Sequence, residues 1–188
     1  MQQTPYFIFK PNILKKNYLE FEELCKKHMK NFKICYSVKT NSFPGVIKTL
    51  NQLKAGFEIA SLNEIKLIAK AKTFVVFNSP CKTQEELKIA VKNKFLINVD
   101  SKSEIDKIYN ITKGNSFEIG LRVSLKESKF GFDESRIIET INYGFSKNLN
   151  VIGIHLHSGT QMNLIEYKNN LDKLSVIVYF LEKKGIKL

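Results

Sequence analysis

The sequence predicts an α/β fold, a partial (β/α)8 barrel of the TIM type with about six βα units present. Strand-like apolar runs alternate with helix-like stretches along the chain, the pattern of parallel strands joined by helical crossovers. The strand-like runs also have two unlike faces. One face is apolar: Ile34, Tyr36, Val38; Phe57, Ile59; Ile97, Val99; Leu121, Val123; Ile152, Ile154, Leu156. The other is small or ionisable: Cys35, Ser37, Lys39; Gly56, Glu58, Ala60; Leu96, Asn98, Asp100; Gly120, Arg122, Ser124; Gly153, His155, His157. An open parallel sheet covered on both sides would be apolar on both. A barrel that gathers polar groups at its C-terminal strand ends fits the pattern better.

The leading segment, residues 1–30, reads as a short strand at Tyr6–Phe9 and a helix over Asn12–Lys30. Strands are expected at Phe32–Lys39, Ala55–Ala60, Phe74–Asn78, Phe95–Val99, Phe117–Val123 and Val151–His157. Helices are expected between them at Phe43–Leu53, Leu62–Lys70, Thr83–Lys92, Ser103–Thr112 and Ser135–Lys147. A longer helix follows from about Leu164 to Lys184. Its expected apolar face is Leu164, Tyr167, Leu171, Leu174, Val178 and Leu181, and Gly185 is a natural stop.

Composition sets limits. The chain has 188 residues, 43% hydrophobic and 26% charged, the balance of a globular domain with a core. No apolar run approaches the ~20 residues of a membrane span. The first residues lack the layout of a secretory signal. Cys25, Cys35 and Cys81 form no CxxC pair, so neither a disulfide framework nor a metal site is expected, and a cytoplasmic location is. The net charge is +12, yet only Arg122 and Arg136 among the 30 basic residues are arginine. Dispersed lysines suit a solvated surface better than phosphate or base recognition, so neither a nucleic-acid nor a membrane partner is expected.

The ionisable strand ends suggest chemistry. A lysine in a cavity, as expected for Lys39 in YSVKTN, can become a nucleophile for carbonyls. The small neighbours Cys35, Ser37, Gly56, Ala60, Gly120 and Gly153 would leave room for a flat ring. His157 could stack on that ring, and SGTQ at 158–161 suits a phosphate oxygen. Together these groups suggest pyridoxal 5'-phosphate. Glu58 and Arg122 also read as a possible buried ion pair, and Thr160 as a possible helix cap.

Six stretches carry a family resemblance: YSVKTN at 36–41, GFEIASLNEI at 56–65, NSPCKTQEEL at 78–87, INVDSKSEI at 97–105, SKFGF at 128–132 and GIHLHSGTQ at 153–161. In this order they resemble the motifs of the fold-type III pyridoxal-phosphate decarboxylases. These act on diaminopimelate, ornithine or arginine and share a barrel with alanine racemase. Glu58 stands where the family often has aspartate. The resemblance implies that Lys39 holds the cofactor covalently, that His157 lies on the ring face and that Thr160 binds the phosphate. It places Glu58 and Arg122 near the ring and Lys39, and Lys129 at a dimer and active-site rim. The implied reaction is loss of the α-carboxylate of a small amino-acid substrate, leaving an amine.

The family usually runs to about twice this length. The match ends at KKGIKL, before an expected seventh strand. The glycine-rich phosphate loop, the acid at the pyridine nitrogen, a later arginine segment and a C-terminal β-domain are not matched. The chain is therefore expected to be an N-terminal barrel portion with little activity alone, a homodimer when complete and open to a complementing C-terminal piece. Diaminopimelate is the first substrate expected; ornithine, lysine, arginine and carboxynorspermidine are alternatives. A non-catalytic cofactor carrier or regulatory homologue is the main rival reading. Alanine racemase ranks lower because TNSFPGV follows Lys39. A metal hydrolase ranks lower because the His155–His157 pair falls on the sixth strand.

Overall fold

The computed structural model describes residues 5–124, 128–159 and 163–188. These form two compact units, residues 1–76 and 77–188. Both are α/β, and the described strand pairs are parallel, as expected of βα units from a (β/α)8 barrel.

The first unit contains α1 (Pro11–His28), β1 (Cys35–Ser37), α2 (Pro44–Gln52), β2 (Gly56–Ile59) and α3 (Leu62–Leu67). Proline opens α1 and α2, where its missing N–H costs nothing. Lys26, Lys27 and His28 close α1, where the helix dipole favours cations. Strands β1 and β2 pair with Cys35 opposite Gly56 and Ser37 opposite Glu58. Val38, Leu50, Ala55, Phe57 and Ile59 form a core with exposures of 0–1%. The short strand expected at Tyr6–Phe9 is not formed: Phe7 and Ile8 are exposed, so its alternation buries nothing. Phe9 instead meets the Phe43 ring edge-on at 5.5 Å. A side chain on Gly45 would run into both rings.

Strand β3 (Val75–Asn78) carries the chain into the second unit. That unit holds α4 (Gln84–Lys92), β4 (Leu96–Val99), α5 (Lys102–Thr112), β5 (Phe117–Ser124), β6 (Phe132–Asp133), α6 (Ile137–Ser146), β7 (Leu149–Leu156) and α7 (Leu164–Lys183). Thr83 and Glu86 close a reciprocal capping box at the start of α4. Strand β5 lies between β4 and β7, with Arg122 opposite His155. The two-residue β6, which periodicity cannot reveal, pairs with the end of β5. Phe77, Leu87, Ile97, Val99, Ile105, Ile108, Ile119, Leu121 and Ile141 are fully buried.

The buried stripe of α7 differs from the expected one. Leu164, Tyr167 and Leu171 are exposed; of the expected face Leu181 is buried and Leu174 and Val178 are half-buried, and Asn170 and Ile177 are buried beside them. The inward face is rotated about the helix axis, and a polar residue joins it. The helix does stop at Gly185, whose φ is +78°.

Four helices end alike. The residue after a left-handed one donates its N–H five residues back: Ala55 to Leu50, Phe95 to Ala90, Gly114 to Tyr109 and Ile186 to Leu181, at 3.0–3.2 Å. This closure needs a left-handed residue, usually glycine. Gly185 supplies it once, but Lys54, Lys94 and Lys113 occupy it elsewhere at φ 53–58°. Lysine pays a steric cost there that glycine avoids. Lys94→Gly is therefore expected to stabilise the chain by about 0.5–1 kcal/mol. A higher urea midpoint would show it; an unchanged or lower midpoint would contradict it.

Candidate functional site

In the first unit, strand β1 ends before Lys39. Val38, Lys39 and Thr40 form one turn of 3-10 helix, so Lys39 leaves the strand alternation and its side chain is exposed. The expected buried lysine is thus a surface lysine on a well-held turn. Val38 beneath it is fully buried. The Tyr36 hydroxyl donates to the Asn41 carbonyl at 3.1 Å, and the Asn41 side chain accepts from the Phe43 N–H at 3.0 Å. Beside this turn, Ser37 Oγ donates to Glu58 Oε2 at 2.5 Å, tying together the C-terminal ends of β1 and β2. Burial raises the Cys35 thiol pKa, which keeps it protonated.

In the second unit, Arg122 and His157 line a cleft of about 330 Å³ with Ser128, Phe130, Gly159 and Asn170. Arg122 donates from Nη1 to Asp100 Oδ1 at 2.9 Å, and its guanidinium lies 5.2 Å from the centre of the Phe130 ring. The other Asp100 oxygen accepts from the Gly131 N–H at 3.0 Å. Asp100 therefore fixes both Arg122 and the SKFGF loop. Gly131 must be glycine: its φ is +85°, and a Cβ would lie 2.9 Å from the Arg122 carbonyl oxygen. Lys129, expected at a rim, is exposed near the Phe130 ring. Thr160 lies outside the described residues.

Behind Asp100 sits a buried ion pair. The Lys82 ammonium donates to Glu104 Oε2 at 2.9 Å and to the carbonyls of Ser79 and Asn98 at 2.7 Å each. Its three protons are thus all engaged. Glu104 also accepts from the backbone N–H groups of Lys82 and Asp100. Desolvation lowers the Lys82 pKa, opposed by the Glu104 charge. No motif in the sequence marks Lys82 as buried; its place in PCKT and the Ser101 cap of α5 are the only cues.

The small residues do not all make space. A Cβ on Gly120 would lie 1.9 Å from Asn98 Oδ1, and one on Gly56 would lie 2.7 Å from the Cys35 sulfur. The room expected at these positions is taken by the chain's own side chains. Asn98 is held there by its bond to Asn78 Oδ1 at 2.6 Å. Gly153, by contrast, has space beside it: among the described residues a Cβ would meet nothing within 4 Å.

His155 lies on the same polar face, where only the lower-ranked metal-hydrolase reading assigns it a role. Its Nδ1 is buried and has no partner among the described residues. Burial, then the charges of Arg122 and His157, push its pKa down to about 4. A buried, unsatisfied ring nitrogen, an open space beside Gly153 and a cleft bearing Arg122 and His157 fit a polar, flat ligand. Exposed and positioned, Lys39 fits a carbonyl partner. Each unit therefore carries residues that suit a part of pyridoxal phosphate.

Two outcomes follow. Lys82→Met strands the Glu104 carboxylate and is expected to cost about 3–5 kcal/mol in denaturant unfolding, whereas Lys82→Met with Glu104→Leu recovers much of that loss. A double variant no better than the single would contradict this. For His155 the folded pKa lies below the unfolded value, so the unfolded chain protonates first. Its contribution is complete above pH 6.5 and declines, by on the order of 2–3 kcal/mol, as pH falls toward 4. His155→Phe should flatten the stability profile between those limits, and an unchanged slope would refute the assignment.

Comparisons with known proteins show the family and the fold. Residues 18–188 match the family model described as pyridoxal-dependent decarboxylase, pyridoxal binding domain. The chain is 30% identical to the diaminopimelate decarboxylase of Aquifex aeolicus, covering 98% of this chain and 48% of that protein. It is 28% identical to the Vibrio cholerae enzyme of the same name, covering 98% and 49%. The crystal structure of Helicobacter pylori diaminopimelate decarboxylase complexed with L-lysine superposes with a TM-score of 0.91 at 26% identity, over 100% of this chain and 52% of that one. Lysine decarboxylase from Selenomonas ruminantium, at 21% identity and a TM-score of 0.84, shares the fold. The chain spans about half the length of the relatives it matches. Among the described residues, no helix is long and apolar enough to cross a membrane. With its lysine turn, its arginine–histidine cleft and a match over residues 18–188, the chain belongs to the pyridoxal-dependent decarboxylases and carries their pyridoxal binding domain.

Proposed function

We propose that these 188 residues form the N-terminal cofactor-binding portion of a carboxy-lyase acting on a diamino acid, with diaminopimelate as the substrate. The observation that carries this reading is the turn that presents Lys39 beside the Ser37–Glu58 bond, within the matched pyridoxal binding domain. The relatives that support diaminopimelate over ornithine or arginine are the decarboxylases of that name.

In this reading Lys39 holds pyridoxal 5'-phosphate covalently through its amine, and His157 lies against the ring face. Glu58 and Arg122 provide polar contacts, and Thr160 donates to the phosphate. Bound there, the cofactor supplies an electron sink for loss of a carboxylate. The Ser37 hydroxyl occupies one Glu58 oxygen and so limits how that carboxylate can turn. Asp100 holds the Arg122 fork in one orientation while leaving other guanidinium N–H groups for a ligand. Cofactor capture belongs to this chain. Full turnover belongs to a polypeptide of the relatives' length, acting as a homodimer in the cytoplasm.

Titration with pyridoxal phosphate tests the reading. The wild-type chain should develop a saturable visible absorbance band that Lys39→Ala lacks. His157→Ala should keep the band but raise Kd about tenfold, the size of one lost ring contact, ~1.4 kcal/mol. A band of equal strength in Lys39→Ala would overturn the reading. Little or no carbon dioxide release from diaminopimelate is expected of the 188-residue chain alone; full-rate release would contradict the proposed division of labour.

A further inference from the structure

The first unit carries a second cleft. It has a volume of about 460 Å³ and lies among the segments leading into β1, β2 and β3. Lys33, Lys54, Lys70, Lys72, Thr73 and Phe74 line it. Lys33 precedes β1 whereas Lys39 follows it, so this cleft and the cofactor lysine lie at opposite ends of one strand.

Among the described residues no acid lines the cleft. A few surface lysines elsewhere pair with carboxylates: Lys16 with Glu20, Lys26 with Glu22 and Glu23, Lys147 with Asp106. Among the described residues none of the four cleft lysines has such a partner. The Lys33 ammonium rests 5.4 Å from the centre of the Phe74 ring, which draws it over the cleft wall. The Thr73 hydroxyl is buried and has no hydrogen-bond partner among the described residues. A buried polar atom left unpaired at a cleft wall points to a ligand or ion that completes it. Ammonium groups donate and never accept, so this lining selects an acceptor-rich anion. Several cations around one concavity favour a multivalent anion over chloride or monophosphate, because their potentials add within a Debye length of about 8 Å.

We propose that this cleft binds a small polyphosphate anion, with linked phosphates spanning the lysines and one oxygen meeting the Thr73 hydroxyl. The inference is independent of the cofactor reading, since none of its residues serves there.

Calorimetric titration of the 188-residue chain with tripolyphosphate tests it. One saturable site is expected, weakening steeply with added salt. Lys70→Gln/Lys72→Gln should raise Kd at least tenfold, and Thr73→Val should weaken binding where Thr73→Ser does not. The matched control is Lys94→Gln/Lys113→Gln. It removes the same charge from exposed positions outside the cleft and should change Kd less than twofold. Lys39→Ala should bind tripolyphosphate as the wild type does, which separates this site from the cofactor lysine. Titration with ATP distinguishes the sources of the phosphate chain. Equal affinity assigns recognition to the phosphates alone, and tighter binding adds a base on Phe74. Equal losses in the cleft and control pairs would show that the anion reads only net charge, and would overturn the proposal. So would the absence of a saturable site.

Discussion

The second unit is organised around the Glu104 carboxylate. One oxygen accepts from the Lys82 N–H, and the other from the Lys82 ammonium and the Asp100 N–H. Burying two charges is costly unless nearly every donor and acceptor finds a partner. Here the ammonium is saturated by Glu104 and two carbonyls. The result is directional rather than merely stabilising. It fixes the backbone where β4 gives way to α5, and hence the base from which Asp100 reaches Arg122 and Gly131. An apolar pair could fill the same volume, but it could not hold the Asp100 N–H in place.

From this base the polar groups at the strand ends divide into two kinds. Asn78, Asn98, Lys82 and Glu104 satisfy one another inside the protein. Their work is done when the chain folds, and Gly120 is glycine because Asn98 needs its space. Arg122, His155 and His157 are different. Arg122 has one oriented anchor, His155 carries a buried nitrogen without a partner among the described residues, and His157 is exposed on the cleft. The first kind builds a rigid frame, and the second remains available to a ligand. Lys39 belongs with the second, exposed on a turn whose neighbouring residues are firmly bonded.

Much of the fold was legible because its signals are local. The apolar runs at 56–59, 96–99 and 117–123 became strands, and Ser61, Thr83 and Ser101 cap the helices that follow the second, third and fourth expected strands. The alternation of faces also put Arg122 and His155 on one polar face, and the structure sets them opposite one another on adjacent strands. What failed depended on the third dimension. Lys39 looked like a strand residue because alternation persists through it, but the backbone turns one residue earlier. Gly120 looked like open space because a sequence does not show that Asn98 fills it. Lys82 looked like any of the many surface lysines, since its burial depends on a carboxylate 22 residues away. Asp100 was placed on the polar face, yet its pairing with Arg122 required knowing which strands adjoin.

The central claim is that Lys39 is the cofactor lysine. The chain offers 28 lysines, so selectivity is the most direct test. The measurement is peptide mapping by mass spectrometry after the chain is saturated with pyridoxal phosphate at low excess and reduced with borohydride. The account predicts one pyridoxyl group per chain, on the peptide containing Lys39. Label scattered over the surface lysines, or concentrated on a lysine other than Lys39, would contradict it.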